Sequence, residues 1–144
     1  MISPSLRIKI AKYIFFDAIV SNDIFNDGGS DLVDFIISDV STQLFLPEER
    51  IVKQGQEGDM LYFIAKGDCS VWVKDHARSQ VFVRKLGRGD YFGEVSILTN
   101  QPRSATVKST NYSTMACIHQ SKFYDLCSNF PDVLLKMEAK ALQY

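Results

Sequence analysis

The sequence predicts an α+β protein, in which short β-strands form a sandwich or barrel between helical segments at the two ends of the chain. The N-terminal forty residues and the C-terminal twenty-four carry apolar residues at helical spacing. From Ser41 to His119 the chain instead consists of short β-type segments that are separated by glycine and proline. Strands of this length and spacing indicate a sandwich or barrel.

Two helices are predicted before the strands. Ser3-Pro4-Ser5 is a typical helix start, with serine as the cap and proline in the first turn. Leu6, Ile10 and Ile14 recur at four-residue spacing and predict an apolar stripe on this helix. Residues 26–30 break the chain, and residues 31–40 predict a second short helix with Leu32, Phe35 and Ile36 on one side.

Seven strands and two further helices are predicted after residue 41. The strands are 42–46, 50–53, 60–65, 69–73, 80–86, 103–109 and 113–119. Ser121 is the expected cap of a helix over 122–128. Phe130-Pro131 opens a last helix, 132–143, on which Val133, Met137 and Ala141 share one stripe.

Composition excludes several classes of protein. The chain has 144 residues, which corresponds to one domain, and its net charge of −1 offers no basic surface for nucleic acid or an anionic membrane. The three cysteines, Cys69, Cys117 and Cys127, form no C-x-x-C pair and predict neither a zinc site nor a disulfide framework. His76 and His119 are the only histidines, too few for a metal-dependent β-roll enzyme. The apolar run 10–20 is interrupted by charges and is too short to span a bilayer.

Residues 92–107 combine a glycine, a carboxylate and an arginine in a pattern that suits an anionic ligand. Gly93 has no Cβ, so a ligand can approach its backbone closely. The free N–H groups of a helical turn over 94–98 point towards an anion. An ionised Glu94 accepts hydrogen bonds from hydroxyl groups, and Arg103 matches two phosphate oxygens with its fixed fork of donors. The alternative is a surface ion pair between Glu94 and Arg103, worth about 0–1 kcal/mol.

This stretch resembles the phosphate-binding cassette of cyclic nucleotide-binding domains, in which F-G-E and three residues are followed, after a variable segment, by R-x-A-Thr/Ser. The run 55–64, G-Q-E-G-D-M-L-Y-F-I, and the pair Phe130-Pro131 are also similar to the family's pattern. The resemblance implies an antiparallel, jelly-roll-like β-roll with N-terminal helices, a short cassette helix and two C-terminal helices that form a lid. It also implies a non-catalytic sensor with cAMP or cGMP as its ligand, and no metal or other cofactor.

Roles for individual residues follow from the resemblance. Gly93 and Val95 are expected to offer backbone N–H groups, Glu94 to bind the ribose 2′-hydroxyl and Arg103 to bind the cyclic phosphate. The other expected ligand contacts are Phe92, Ser104, Ala105 and Tyr144, of which Tyr144 is expected either to stack on the purine or to be a frayed terminus. Leu86 and Val83 are candidates for the purine side of the site, with a core role as the alternative for both.

The N-terminal segment is similar to the end of the helical linker in cyclic nucleotide-gated and hyperpolarization-activated channels, on the residues Pro4-Ser5-Leu6-Arg7, Ile10 and Ile24-Phe25. The expected organisation is therefore a linker over 1–23 and a binding domain over 24–144 whose lid helix is truncated. The implied host is a potassium-type ion channel, in which this piece lies at the cytoplasmic face of a membrane. Its implied partners are the neighbouring subunits of a tetramer, and no membrane insertion of this piece itself is expected.

Other hosts and roles stay open at this point. The same domain occurs in protein kinases and their regulatory subunits, and a degenerate domain that no longer binds nucleotide serves only in assembly. Retention of both Glu94 and Arg103 argues against a degenerate domain. A β-roll enzyme is disfavoured, because the sequence lacks any nucleophile–base motif. The choice between cAMP and cGMP is not determined, since Ser104 is weak evidence for either base.

Overall fold

The computed structural model describes residues 3–25, 28–38 and 40–141. Its five helices are α1 (Pro4–Val20), α2 (Gly29–Ile37), α3 (Glu94–Thr99), α4 (Gln120–Asn129) and α5 (Pro131–Ala141). Its eight strands are β1 (Ser41–Phe45), β2 (Arg50–Val52), β3 (Met60–Lys66), β4 (Cys69–Lys74), β5 (Gln80–Leu86), β6 (Tyr91–Phe92), β7 (Thr106–Ser109) and β8 (Ser113–His119).

The strands form two four-stranded antiparallel sheets, with the orders β1-β8-β3-β6 and β2-β7-β4-β5. Strands β2 and β7 pair although more than fifty residues separate them, and the segment between β6 and β7 carries the short helix α3. Two sheets formed from such long-range pairs enclose a space between them, as in jelly rolls. The predicted α+β class and β-roll are confirmed.

Two apolar clusters hold the fold together. The first joins α1, α2, α4 and α5 to the helix-facing side of the β1-β8-β3-β6 sheet, around the fully buried rings of Phe15, Phe25, Phe63 and Phe123. The second fills the roll between the sheets and includes Ile64, Val107, Met115 and Phe92. The cassette lies beside the second cluster, so the interior of the roll positions it.

The predicted apolar face of α1 is wrong. The buried side of this helix consists of Ala11, Phe15, Ala18 and Ile19, whereas Leu6 and Ile10 are exposed and Ile14 is only partly buried. The helix is apolar around most of its circumference, so four-residue spacing alone does not select a face. Small alanines on the buried side let α1 approach its neighbours closely.

One of the two predicted helix caps is confirmed and the other is wrong. The Leu6 N–H donates to the Ser3 Oγ at 3.2 Å, so the predicted cap of α1 is confirmed. The cap of α4 is His119 and not Ser121, because the His119 Nδ1 accepts from the Ser121 N–H at 3.2 Å. The histidine ring fills the position that serine usually takes.

Further boundaries differ by a few residues. Helix α2 begins and ends two to three residues before its predicted bounds, strand β7 begins at Thr106 and not at residue 103, and the two-residue strand β6 was not predicted. The segment around Arg103 is irregular because its backbone bonds to another loop: the Arg103 N–H donates to the Gln56 carbonyl, and the Gly55 N–H donates to the Arg103 carbonyl, both at 2.8 Å.

Candidate functional site: the cassette cavity

A cavity of about 70 Å³ lies between the β2-β7-β4-β5 sheet and the cassette. All seven predicted site residues within the described ranges line it: Phe92, Gly93, Glu94, Val95, Arg103, Ser104 and Ala105. Tyr144, the eighth predicted residue, lies outside the described residues. Leu86 also lines the cavity, but Val83 does not and its side chain is exposed, so neither the core role nor the purine-side role of Val83 is supported.

Arg103 is buried at the end of the cavity without an ionic partner. Its side chain is 6% exposed, and the guanidinium donates from Nη1 to the Gly93 carbonyl at 3.0 Å and from Nη2 to the Met60 carbonyl at 2.9 Å. Among the described residues, no carboxylate forms an ion pair with it. The two carbonyls fix the orientation of the guanidinium, and burial lowers its pKa, opposed by the charges of Tyr62, Asp59 and Glu94.

Two glycines make room for this arrangement. A Cβ on Gly58 would overlap the Arg103 guanidinium. A Cβ on Gly93 would lie 2.7 Å from the Met60 oxygen and 2.8 Å from Arg103 Nη1, and the residue has a positive φ of 97°. Both positions therefore require glycine. At Gly58 the reason is the contact with Arg103, which lies forty-five positions later in the sequence.

Glu94 is the first residue of α3, and its side chain is only 8% exposed. Burial raises the pKa of this carboxyl, while its own backbone N–H and the cations Arg84, Lys140 and Arg103 oppose the rise. Glu94 and Arg103 do not form a surface ion pair, because both side chains are buried and no contact within ion-pair distance joins them. The cavity thus contains a hydrogen-bond acceptor, Glu94, and a cation, Arg103, that form no ion pair with each other.

Two cations beside Glu94 were not predicted. Arg84 of β5 lines the cassette cavity and an adjoining space of about 30 Å³, which Tyr91, Glu94 and Lys140 also line. Lys140 of α5 places its Nζ 5.7 Å from the centre of the Tyr91 ring. Arg84 follows three apolar residues in the sequence, and Lys140 is one of two lysines on the last helix, so no local pattern distinguishes them.

Among the described residues, the last helix reaches the site only through Lys140, which lines the space beside Glu94. Val133 and Met137 of α5 are buried in the first cluster, and Phe35 of α2 packs edge-on against Phe130 at 5.7 Å between ring centres. A cavity of about 70 Å³ is far below the roughly 300–1,000 Å³ of typical ligand pockets. The cavity has room for a phosphate-sized group beside Arg103 but not for a whole nucleotide.

Residues 42–130 match the family model described as "Cyclic nucleotide-binding domain". The match covers more than half of the chain and includes the whole cassette. The chain therefore belongs to the cyclic nucleotide-binding domain family.

Individual relatives fall into two groups. A cAMP-dependent protein kinase regulatory subunit from Debaryomyces hansenii is 36% identical over 104 residues, which cover 72% of this chain and 22% of that protein. A cyclic nucleotide-gated cation channel protein from Drosophila melanogaster is 27% identical over 144 residues, which cover 96% of this chain and 21% of that protein. The chain therefore spans about a fifth of the length of these two relatives.

The fold has close counterparts among solved structures. The regulatory domain of Toxoplasma gondii PKA with cAMP superimposes with a TM-score of 0.85 at 23% identity, over 97% of this chain and 51% of that one. At this identity the similarity establishes the fold alone. Within the part of the chain that the structure describes, none of the helices is both long and apolar enough to cross a membrane.

Proposed function

We propose that this chain is a non-catalytic regulatory domain that binds a cyclic nucleotide, cAMP or cGMP. The observation that carries the proposal is the Arg103 guanidinium, which is buried without an ion pair among the described residues. Burying a charge that is hydrogen-bonded but not neutralised by an opposite charge is costly. A phosphate that docks at Arg103 supplies the missing negative charge, and each charge-assisted hydrogen bond contributes about 1.5–3 kcal/mol.

The cavity lining supports a specific orientation of the nucleotide. Arg103 and the backbone N–H groups of Gly93 and Val95 bind the cyclic phosphate, and Glu94 accepts from the ribose 2′-hydroxyl. Ser104 and Ala105 lie between phosphate and purine, and Leu86 lies on the purine side together with Phe92. The position of Tyr144 as a further purine contact remains part of the proposal. The site needs no metal or other cofactor for this binding.

Binding is coupled to the position of α5. Because Lys140 of α5 lines the space beside Glu94, a ligand bound at the cassette is within reach of this helix, and binding orders α5 as a lid over the roll. The ligand shifts this equilibrium only by the difference in its affinity for the two states. We expect amide hydrogen exchange over residues 121–141 to slow on nucleotide binding, and unchanged exchange in this range would refute lid closure.

We further propose that the domain belongs to an ion channel and lies at the cytoplasmic face of a membrane, with residues 1–23 as the end of a linker and 24–144 as the sensor. The support is that the alignment with the Drosophila channel spans 96% of this chain, α1 included. The N-terminal helices then contact neighbouring subunits of a tetramer and pass on the coupling free energy of ligand binding. A potassium-type pore is the expected effector.

A kinase regulatory subunit is the second candidate host. It is favoured by the higher identity, 36%, to the Debaryomyces regulatory subunit, whose alignment covers less of this chain. The two hosts differ in what the domain contacts. Self-association that increases with nucleotide supports the channel, whereas inhibition of a kinase catalytic subunit that is relieved by nucleotide supports the regulatory subunit. Sedimentation velocity and a kinase assay with the purified chain distinguish them.

Calorimetric titration with cAMP and with cGMP tests the ligand. We expect micromolar binding of at least one nucleotide, and the ratio of the two affinities gives the base preference. Arg103→Glu is expected to abolish binding, since it places a carboxylate where the phosphate docks. Arg78→Glu, an exposed arginine in the β4–β5 turn, is the matched control and should bind as the wild type does. Absence of binding by the wild type would contradict the proposal and would favour either a degenerate assembly domain or a lid helix too short to hold the ligand.

A further inference from the structure

Helix α1 presents aromatic side chains to solvent above a groove. Tyr13 is 90% exposed and Phe16 is also exposed. Both line a groove of about 890 Å³ that runs between α1 and the adjacent ends of β3 and β8 at Lys66 and Thr114. The cassette cavity, by comparison, measures about 70 Å³ and shares no lining residue with it. The groove is therefore a separate feature of the molecule.

Exposed apolar side chains also lie on the sheet beside the groove. Thr114 pairs with Lys66 on one side and with Leu44 on the other, so these three residues share one sheet face. Leu46 and Tyr112, both exposed, follow directly beyond the last pair of this ladder, Phe45 with Ser113. Leu44 is 76% exposed and Tyr112 is 73% exposed. Exposed apolar residues that lie close together on a surface often mark an interaction site.

The groove carries an excess of positive charge. Its lining contains four cations and one carboxylate: Lys9, Lys12, Lys66, Arg88 and Asp17. Lys12 pairs with Asp34 at 3.0 Å, and Arg88 pairs with Asp17 at 3.7 Å. Lys9 and Lys66 form no ion pair with any described residue. The chain as a whole has a net charge of −1, so this local excess is not a consequence of overall composition.

We propose that this surface, which we name the α1 groove, binds an amphipathic helix of a partner protein that carries Asp or Glu beside an apolar stripe. The aromatic side chains Tyr13 and Phe16 provide anchors of the type that dominates binding energy in protein interfaces. The unpaired Lys9 and Lys66 select acidic residues at the edges of the stripe. A helix suits a groove that is itself bounded by a helix, because its apolar residues recur along one side. The inference does not depend on nucleotide binding.

Two designed peptides of fourteen residues test the charge and shape of the proposed occupant. Both are helical and carry the same leucine stripe, which is flanked by glutamate in one and by lysine in the other. Fluorescence anisotropy with the purified chain at low salt is the measurement. We expect the glutamate peptide to bind at least tenfold more tightly than the lysine peptide. Equal binding of the two, or no binding of either at millimolar concentration, overturns the proposal.

Charge reversal locates the binding. The double variant Lys9→Glu/Lys66→Glu should lose the glutamate peptide and gain the lysine peptide. The control Lys74→Glu/Arg78→Glu makes the same change in net charge on the β4–β5 turn and should keep the wild-type preference. Tyr13→Ser should weaken binding of the glutamate peptide about tenfold, whereas Val83→Ser, on another exposed apolar strand, should not. A preference that survives reversal in the groove contradicts the assignment.

Two further measurements distinguish a partner helix from a lipid surface and from a second copy of the chain. Co-sedimentation with vesicles of phosphatidylcholine and phosphatidylserine that Lys9→Glu/Lys66→Glu abolishes, without a peptide preference, would assign the surface to lipid headgroups. A concentration-dependent dimer in sedimentation velocity that Tyr13→Ser abolishes would assign it to a second copy of the chain. Either result overturns the proposal of a partner helix.

Discussion

Charged side chains are usually exposed and aromatic ones buried, and the cassette and helix α1 each depart from one half of this rule. The cassette buries a glutamate and an arginine that form no ion pair with each other, whereas α1 exposes a tyrosine and a phenylalanine. Buried charges and exposed aromatics both cost free energy in the isolated protein. This difference fits the two proposals made above, an anionic ligand for the cassette and an acidic amphipathic helix for the outer side of α1.

Substitution of aromatic residues within α1 is expected to have the largest effect. Phe15 is fully buried, so Phe15→Ala should lower the free energy of unfolding by about 3–5 kcal/mol. Tyr13→Ala, two residues earlier on the exposed side, should change it by less than about 0.5 kcal/mol. Urea denaturation of both variants is the measurement. Similar losses in the two variants would mean that Tyr13 contributes to the fold and is not reserved for a partner.

The second-largest effect is expected for substitution of Gly58, which lies against the Arg103 side chain. The Cβ in Gly58→Ala displaces the guanidinium, so we expect a loss of nucleotide affinity of roughly 10- to 100-fold, or about 1.4–2.8 kcal/mol. Gly87→Ala is the matched control, because its Cβ meets only the Asp68 carboxylate at 3.3 Å. Titration calorimetry gives both affinities. Unchanged affinity in Gly58→Ala would show that the orientation of Arg103 does not determine binding.

Neutralising Glu94 should separate stability from function. Because burial raises the pKa of this carboxyl in the folded state, its ionisation destabilises the folded protein as pH rises above the pKa of the unfolded chain. Glu94→Gln should therefore increase the melting temperature of the ligand-free protein at pH 7 by about 1–3 °C and leave it unchanged near pH 4. Nucleotide affinity should fall about tenfold, because the amide is a weaker acceptor for the ribose hydroxyl.

Differential scanning fluorimetry at the two pH values checks the stability of Glu94→Gln, and calorimetry checks its affinity for nucleotide. A variant that is less stable than wild type at pH 7 would show that the attraction of Arg84, Lys140 and Arg103 outweighs the cost of burying the carboxylate.

The smallest effect is expected at Lys140, whose Nζ lies over the Tyr91 ring. An exposed cation–π contact contributes about 0.5–1 kcal/mol. In Lys140→Gln, amide exchange of α5 in the ligand-free protein should accelerate by about two- to fivefold. Glu138→Gln, at an exposed position of the same helix outside the space beside Glu94, is the control. Identical exchange rates in wild type and Lys140→Gln would show that another contact holds α5 closed.

Much of the roll was predictable because its strands are short and end at turn residues, so that Gly55, Gly67 and Pro47 mark boundaries directly. The cassette was predictable because its ligand-facing residues are close together in the sequence. Strand β6 was not predictable, because a segment of two residues is too short to show an alternating pattern. The buried face of α1 was not predictable, because a helix with apolar residues around most of its circumference gives little preference between faces.

The missed parts of the site depend on long-range contacts. Gly58 meets Arg103 from a distant loop, Arg84 comes from β5, and Lys140 comes from the last helix. Arg84 and Lys140 look ordinary in their own segments, and Gly58 is notable in the sequence only as part of the run 55–64, which does not indicate its contact with Arg103. Only the pairing of β4 with β5 and β7, and the packing of α5 on the roll, bring them to one place.

Both acceptors that hold the Arg103 side chain are main-chain oxygens, those of Met60 and Gly93. No change of side chain at position 60 removes such an acceptor, so this position is free to diverge in evolution while the arginine keeps its orientation. What the arrangement does not tolerate is a change in the path of the backbone. We expect inserted or deleted residues between β2 and β3 to disable the domain far more often than point substitutions at Met60.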